Sequence, residues 1–374
     1  MSYNEVELEM ASRNTPDSVT EDSQRKSEKP SSSAFKQQKL QAWQPILTAG
    51  TVLPSFFIIG LAFIPIGIGL LVSSNKVQEF QLDYTYCLNE KGEECAEVIK
   101  KNFRNKCICK IEFNLTEDFE RNVFVYYGLT NYYQNHRRYV KSRDDQQLLG
   151  KVTDTLSADC KPFAYVENST YKTPIAPCGA IANSLFNDTI TLKLQGNKEV
   201  EVPLLNTGIA WPTDTTVKFQ NPPGDVSTGE AFTKTAKPLN WDRPVWQLDP
   251  SHSENNGYQN EDLIVWMRNA ALPTFRKLYR RVDHEKEGFK NHLPKGIYNL
   301  IVQYTYPVTS FKGTKRLILS NTTWLGGKNP FLGITYIVVG SICLILSIMF
   351  LVIHKKFGKS PHDVMGNITE RTPY

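Results

Sequence analysis

Cysteine is the residue of this chain whose number and placement could do chemistry. Of seven cysteines, Cys87, Cys95, Cys107, Cys109, Cys160 and Cys178 lie between two long apolar runs, and Cys343 lies inside the second run. An even set in one soluble segment suits disulfides formed in an oxidising compartment. Zinc is a poor alternative, because Cys107-x-Cys109 lacks a second matching pair and has no histidine nearby. A structural role is expected over a redox one. Cys160 and Cys178 would close a loop of about 17 residues, which loop-closure entropy values at roughly 3 kcal/mol.

The other groups able to act chemically are sparse. Gly326-Gly327-Lys328 lacks the upstream glycine of a phosphate loop, and neither Gly-x-Ser-x-Gly nor His-Glu-x-x-His occurs. These absences predict a chain that is not an enzyme, with no metal and no cofactor. The six histidines are scattered, and His136 alone lies in a dense polar motif, Asn135-His136-Arg137-Arg138-Tyr139-Val140-Lys141-Ser142-Arg143-Asp144-Asp145. Two readings of that motif stay open: a solvated, salt-bridged loop, or a docking surface for a partner's acidic loops, since arginine forks pair well with carboxylates. The net charge of +5 is dispersed, so nucleic acid is not an expected partner.

What must position these groups begins at the membrane. Leu40 to Asn75 contains no charged residue, and a hydrocarbon core of about 30 Å needs about 20 apolar residues as helix. This run lies behind a long polar N-terminus, so it is no cleaved signal peptide. A first transmembrane helix is expected over 46–74. Pro54 and Pro65 would kink it or shape it against another membrane protein. A second span is expected over 330–353, where Gly333 and Gly340 put small residues on one face for close helix contact. Residues 1–33 read as a disordered tail. Residues 34–45, with Phe35 and Trp43, read as an interfacial segment, and 354–374 as a second tail.

Two spans put both termini on one side. Four lysines in residues 26–45 against two in the twenty after the first span place them in the cytosol. Asn-x-Ser/Thr sites at Asn114, Asn168, Asn187 and Asn321 agree, placing 75–329 outside it as a glycosylated domain.

That domain reads mainly as β. Ile297–Tyr306 alternates, with Tyr298, Leu300, Val302 and Tyr304 on one face. Ile190–Leu194 and Val200–Leu204 flank a turn at Gln195-Gly196-Asn197, which predicts a hairpin. Arg121–Tyr127 reads as a further strand. Asp262–Arg281 instead shows three- and four-residue spacing, which predicts a helix capped by Asp262 and broken at Pro273.

Several strings, in this order, resemble one family. They are Phe35-Lys36-Gln37-Gln38, Ala42-Trp43-Gln44-Pro45-Ile46-Leu47-Thr48-Ala49-Gly50 and Asn135-His136-Arg137-Arg138-Tyr139, then Pro174-Ile175-Ala176-Pro177-Cys178-Gly179-Ala180-Ile181-Ala182-Asn183-Ser184 and Gly208-Ile209-Ala210-Trp211. Asn221-Pro222-Pro223-Gly224, Asn260-Glu261-Asp262-Leu263-Ile264-Val265-Trp266-Met267-Arg268 and Gly326-Gly327-Lys328-Asn329-Pro330-Phe331 complete the set. From Ala34 to Ile353 the chain is similar to the Cdc-fifty/Lem-three family, the accessory β subunits of type-four P-type ATPases, which are phospholipid flippases.

The resemblance implies a membrane protein with two transmembrane helices flanking a large, mainly-β, antiparallel sandwich-like, disulfide-bonded exoplasmic domain. It implies the pairs Cys87–Cys109, Cys95–Cys107 and Cys160–Cys178. The gap between Cys87 and Cys95 departs from the family by being wider. It implies a heterodimer with the catalytic α subunit, whose folding, exit from the endoplasmic reticulum and cycling the chain assists, through the Golgi to the plasma membrane. Partner contact would fall on Phe35, Trp43, Pro54, Pro65, His136, Arg137, Arg138, Gly333 and Gly340, beside membrane lipids. The rival reading is a subunit of a two-helix ion channel. Such a pore usually needs polar or acidic lining, and the second span offers only Thr335, Ser341 and Ser347.

Overall fold

The computed structural model describes residues 31–40, 48–102, 105–151, 155–167 and 172–358. Trp43 and Asn168 fall outside the described residues, as do positions 1–30 and 359–374.

Two long apolar helices frame the order of elements: α1 (Ala49–Asn75) and α7 (Pro330–Phe357). At 27 and 28 residues and about 1.5 Å per residue, each is about 40 Å long. That exceeds the hydrocarbon core, so both can cross it. Helix α1 runs through Pro54 and Pro65. Helix α7 starts where proline is tolerated, at the first position, with the Asn329 side chain accepting from Phe331 N at 3.2 Å. It ends a turn later than the hydropathy suggested, because His354, Lys355 and Lys356 favour the negative end of the helix dipole.

Between them lie two antiparallel sheets. The first has the order β1 (Glu79–Asp83), β13 (Lys315–Ser320), β4 (Phe124–Leu129), β10 (Phe275–Val282), β9 (Leu204–Leu205). The second has the order β2 (Cys107–Leu115), β12 (Gly296–Tyr304), β7 (Thr189–Leu194), β8 (Val200–Glu201). Small pairs join β3 (Phe119–Glu120) to β11 (His292–Leu293), and β5 (Tyr165–Glu167) to β6 (Lys172–Pro174). Short helices α2 (Cys95–Lys101), α3 (Arg137–Lys141), α4 (Asp145–Leu148), α5 (Ala180–Asn183) and α6 (Glu261–Met267) cover the ends.

Alternation in β12 buries Tyr298, Leu300, Val302 and Tyr304 as expected. They join a core that also holds Val125, Tyr127, Leu317 and Leu319 of the first sheet. Phe80 of β1 stacks on Phe113 of β2 at 4.9 Å, and Ile190 N donates to Tyr279 Oη across the sheets at 3.1 Å.

This core contains a lysine. Lys315 is fully buried, with Nζ 2.6 Å from Asp188 Oδ2, 2.7 Å from Tyr306 O and 3.0 Å from the Tyr304 ring centroid. Burial lowers its pKa to about 8, against the opposing pull of Asp188.

Two sequence expectations are corrected. Asp262–Arg281 is not one interrupted helix. Helix α6 ends at Met267, and β10 begins after Pro273. Its cap is Asn260, whose side chain accepts from Leu263 N at 3.1 Å, and not Asp262, which pairs with Arg280 at 2.5 Å. The strand was disguised because Lys277 is buried where a period of two asks for an apolar residue. Its ammonium donates to Val265 O, Trp266 O and Arg268 O at 2.9, 2.7 and 2.6 Å, closing the C-terminal end of α6. The hairpin after Gln195-Gly196-Asn197 is also shorter than expected. The β7–β8 ladder covers Val200 and Glu201, Val202 N donates to Leu192 O at 2.9 Å, and Leu204–Leu205 pairs with β10 in the other sheet. Pro203 lies between these strands, and its lack of an N–H suits a break in the ladder.

Candidate functional site

The Asn135–Asp145 motif folds as a short helix anchored on one side. Tyr139 faces inward, its hydroxyl 2.8 Å from Ser184 Oγ and 3.4 Å from Tyr132 Oη. Ser142 Oγ accepts from Ala180 N at 2.9 Å. Gly179, at φ +101°, lies against the Ser142 carbonyl where any Cβ would collide, so only glycine lets α5 approach α3. From beneath, Trp266 and Trp241 donate their indole N–H to Ile181 O and Ala182 O at 2.8 and 2.7 Å. The string Ala180–Ser184 is therefore a fixed floor.

With Tyr139 pinned, His136, Arg137, Arg138 and Lys141 project outward and are exposed. The Cys160–Cys178 disulfide brings Ala158–Pro162 alongside, and the two segments border an open depression of about 800 Å³. Arg137, Arg138, Lys141 and Lys161 line it with Asp159 as the one carboxylate, and none of these cations is in an ion pair among the described residues. Only the far end of the motif is internally satisfied. Arg143 pairs with Asp145 at 2.8 Å, and Asp144 caps α4 by accepting from Gln146 N and Gln147 N at 2.9 and 3.1 Å. Of the two readings left open by the sequence, a salt-bridged loop does not describe the Arg137–Lys141 end.

Apolar surface adjoins this basic face. Asn135 Nδ2 donates to Ala271 O at 2.9 Å, next to Leu272, which is 68 % exposed. Nearby in sequence, Arg268 stacks on Trp211, itself 62 % exposed, at 4.7 Å. Nothing periodic in the sequence marks these three residues as contact residues, because they are exposed outside regular elements.

The membrane pair places the other candidates. Gly60 and Gly67 of α1 are buried against Gly340 and Gly333 of α7. A carbon added at Gly60 would lie 2.8 Å from Gly340 O, and one at Gly333 would lie 2.8 Å from Leu71 N. Gly333 and Gly340 are thus used on the chain's own first helix. The expectation that they contact a partner is corrected. Gly60 and Gly67 share the spacing of seven and could have been read the same way. Pro54 and Pro65 face outward with Phe57, Ile58, Leu61, Ile68 and Val72, and this surface is open to lipid or to another helix. Phe35 is exposed on a turn where Lys39 N donates to Ala34 O at 2.8 Å.

The disulfides join Cys87 to Cys109, Cys95 to Cys107 and Cys160 to Cys178, with Cα separations of 5.9, 5.4 and 5.7 Å. Cys343 is a free thiol in α7. Of the sequons, Asn114 and Asn187 are exposed. Asn321 is only 4 % exposed; its Oδ1 accepts from Gln78 N at 2.8 Å and its Nδ2 donates to Gln78 Oε1 at 3.2 Å. A sugar on that nitrogen has no room in this fold, so Asn321 is withdrawn as a glycosylation site.

Two apolar spans enclosing a disulfide-bonded domain of antiparallel sheets define a two-helix membrane protein. Residues 70–360 match the LEM3 (ligand-effect modulator 3) family / CDC50 family. The chain is 54 % identical over 341 residues to Cell cycle control protein 50A of Mus musculus, covering 90 % of this chain and 92 % of that one. It is 47 % identical over 343 residues to Cell cycle control protein 50B of Homo sapiens, covering 89 % and 96 %. It is also 39 % identical over 330 residues to ALA-interacting subunit 3 of Arabidopsis thaliana, covering 88 % and 87 %. The chain belongs to the LEM3/CDC50 family.

Proposed function

We propose that this chain is the non-catalytic accessory subunit of a type-four P-type ATPase that moves aminophospholipid from the exoplasmic to the cytosolic leaflet. The observation that carries the reading is the basic face at Arg137, Arg138, Lys141 and Lys161. It is fixed from below, concave, and left without carboxylate partners among the described residues. A surface held rigid and unsatisfied in charge suits acidic loops of another subunit. Family membership supports the same reading, as does the name of the Arabidopsis relative, ALA-interacting subunit 3.

In this reading both termini are cytosolic and the domain stands on the exoplasmic side, with sugars on Asn114 and Asn187. The subunit helps the pump fold and leave the endoplasmic reticulum for the Golgi and plasma membrane. The outer faces of α1 and α7 lie against the pump or lipid. A channel subunit is the weaker reading. The seam is closed glycine to glycine, and Thr335, Ser341 and Ser347 give their hydroxyls to carbonyls of Phe331, Ile337 and Leu53 at 2.8, 2.8 and 3.3 Å, which leaves little to line a pore.

Co-expression of the tagged chain with a type-four ATPase, followed by capture in mild detergent, tests the proposal. A one-to-one complex that cycles with lipid, weakened by R137A/R138A and by raised salt, is the expected result. Exposed pairs contribute about 0.2–1 kcal/mol each, so the double variant should cost about 2- to 30-fold in affinity. A pump that reaches the surface and turns over equally well without the chain refutes the reading.

A further inference from the structure

The described residue with the highest exposure among the large apolar side chains is Trp324, at 82 %. It sits with Leu325 at the tip of a two-residue hairpin. Thr323 N donates to Gly326 O, and Gly326 N to Thr323 O, both at 2.9 Å, and Gly326 adopts φ +96°. This geometry presents the tip rigidly.

Both ends of the segment carrying the hairpin are tied to the exit of α1. Asn321 Oδ1 accepts from Gln78 N at 2.8 Å, and Asn329 N donates to Ser74 Oγ at 2.9 Å. The tip is five residues from Asn329, a reach of at most about 18 Å, and Asn329 caps the span itself. The headgroup layer, about 5–8 Å on each side of the hydrocarbon, is within that reach. Lys76 and Lys328 are exposed, Gly327 lies beside the Arg276 guanidinium, which pairs with Glu79 at 2.6 Å, and residues 320–331 contain no acid. An amphipathic indole, an aliphatic neighbour and lysines at the end of a span match the chemistry of a membrane interface.

We propose that the Trp324–Leu325 hairpin is an interfacial anchor, seated in the headgroup and upper acyl region of the leaflet on which the domain stands. It would fix the height and tilt of the domain independently of any partner, with Lys76 and Lys328 against lipid phosphates.

The full chain in phosphatidylcholine nanodiscs with a minor share of phosphatidylserine provides the test. Tryptophan emission is compared between wild type and W324F, with acyl chains brominated near the carbonyl end, near the methyl end, or not at all. The difference signal of Trp324 should be blue-shifted and lose most of its intensity to the carbonyl-end bromine, and much less to the methyl-end bromine. Leu325→Trp, which should add emission quenched in the same way, carries the test if W324F does not fold. A difference signal unquenched by either lipid and emitting as in water overturns the proposal. Quenching that disappears once a catalytic subunit is bound also overturns it, by assigning the hairpin to the protein partner. Neither result bears on whether the chain assembles with a pump.

Discussion

A methyl group on Gly67 is the sharpest probe of how the two spans are held. Built on the structure, it would lie 2.8 Å from Ile337 Cγ1, 2.9 Å from Gly333 O and 2.9 Å from Ile337 N. Two of these atoms are backbone, so no side-chain rotation relieves the overlap. Ordinary contact begins at 3.4 Å, and the helices have to part by about half an ångström, an overpacking that costs about 1–3 kcal/mol. Alanine's preference for helix over glycine returns about 1 kcal/mol, which would blur the result if Gly67→Ala were measured alone. Gly69 removes the ambiguity. It sits on the same helix two residues on, and a methyl there meets nothing within 4 Å. Gly69→Ala therefore gains the same propensity without the overlap. The difference between the two variants isolates the seam, and should be about 5- to 150-fold in the folding equilibrium.

Thermal melting of the full chain in mild detergent reads this as a lower Tm for Gly67→Ala than for Gly69→Ala. Gly333→Ala should behave like Gly67→Ala, because its methyl meets Leu71 N at 2.8 Å and Gly67 O at 3.0 Å. The double variant should cost less than the sum, since one opening accommodates both methyls. Equal melting of Gly67→Ala and Gly69→Ala would refute the glycine seam. Fully additive costs would show that the helices do not move as rigid rods.

Lys315→Met should lower the Tm of the domain by about 6–20 °C, because stranding a buried carboxylate costs about 3–5 kcal/mol. Adding Asp188→Asn should recover part of it; Asp188 Oδ1 also accepts from Thr305 N and Tyr306 N, both at 2.7 Å, and an amide oxygen in that place keeps both bonds. Burial, then the nearby Arg268 charge, holds Lys277 down at about 7, below an unfolded value of about 10.4. Below pH 7 both states carry the proton, whereas above it the fold carries fewer. Stability should therefore rise with pH from about 7 towards 10, and pH-dependent melting should lose much of that slope in Lys277→Met; an unchanged slope would remove Lys277 as its source. Thr323→Ala abolishes the Asn321 sequon without altering the asparagine, and should leave gel mobility unchanged, while Asn187→Gln should increase it; a shift from Thr323→Ala would mean that Asn321 carries sugar.

What the sequence disclosed follows from which forces leave a periodic trace. The spans were legible because lipid excludes charge along the whole helix, and β12 because one face is buried and its neighbours alternate. Lys277 concealed β10 for the opposite reason: a lysine satisfied by three carbonyls is buried yet scores as polar. Asn321 misled similarly, since a sequon specifies an acceptor side chain but not its exposure. At the basic face, the Arg137 and Arg138 types were visible in the motif. Their lack of carboxylate partners was not, because it depends on Tyr139 turning inward and on a disulfide closing from Cys160.

The register of the seam explains why the spans and the domain should respond to a partner together. Gly60 meets Gly340 and Gly67 meets Gly333. On either side of the Trp324 hairpin the pairing resumes: Ser74 meets Asn329, Gln78 meets Asn321, and in the β1–β13 ladder Glu79 opposes Ser320. On the α1 side three residues separate helix from strand; on the α7 side residues 321–329 carry the Trp324 hairpin and are tied at both ends to α1 and its exit. A shift of α1 against α7 must therefore stretch the β1–β13 ladder or carry it along. Because β13 also pairs with β4, and β4 with β10, the displacement is delivered to the sheet whose β10 holds Lys277 under α6 and Trp266. Trp266 in turn supports the floor beneath Arg137 and Arg138. In the proposed assembly, contacts made within the bilayer and contacts made on the basic face would thus act on connected parts of one chain.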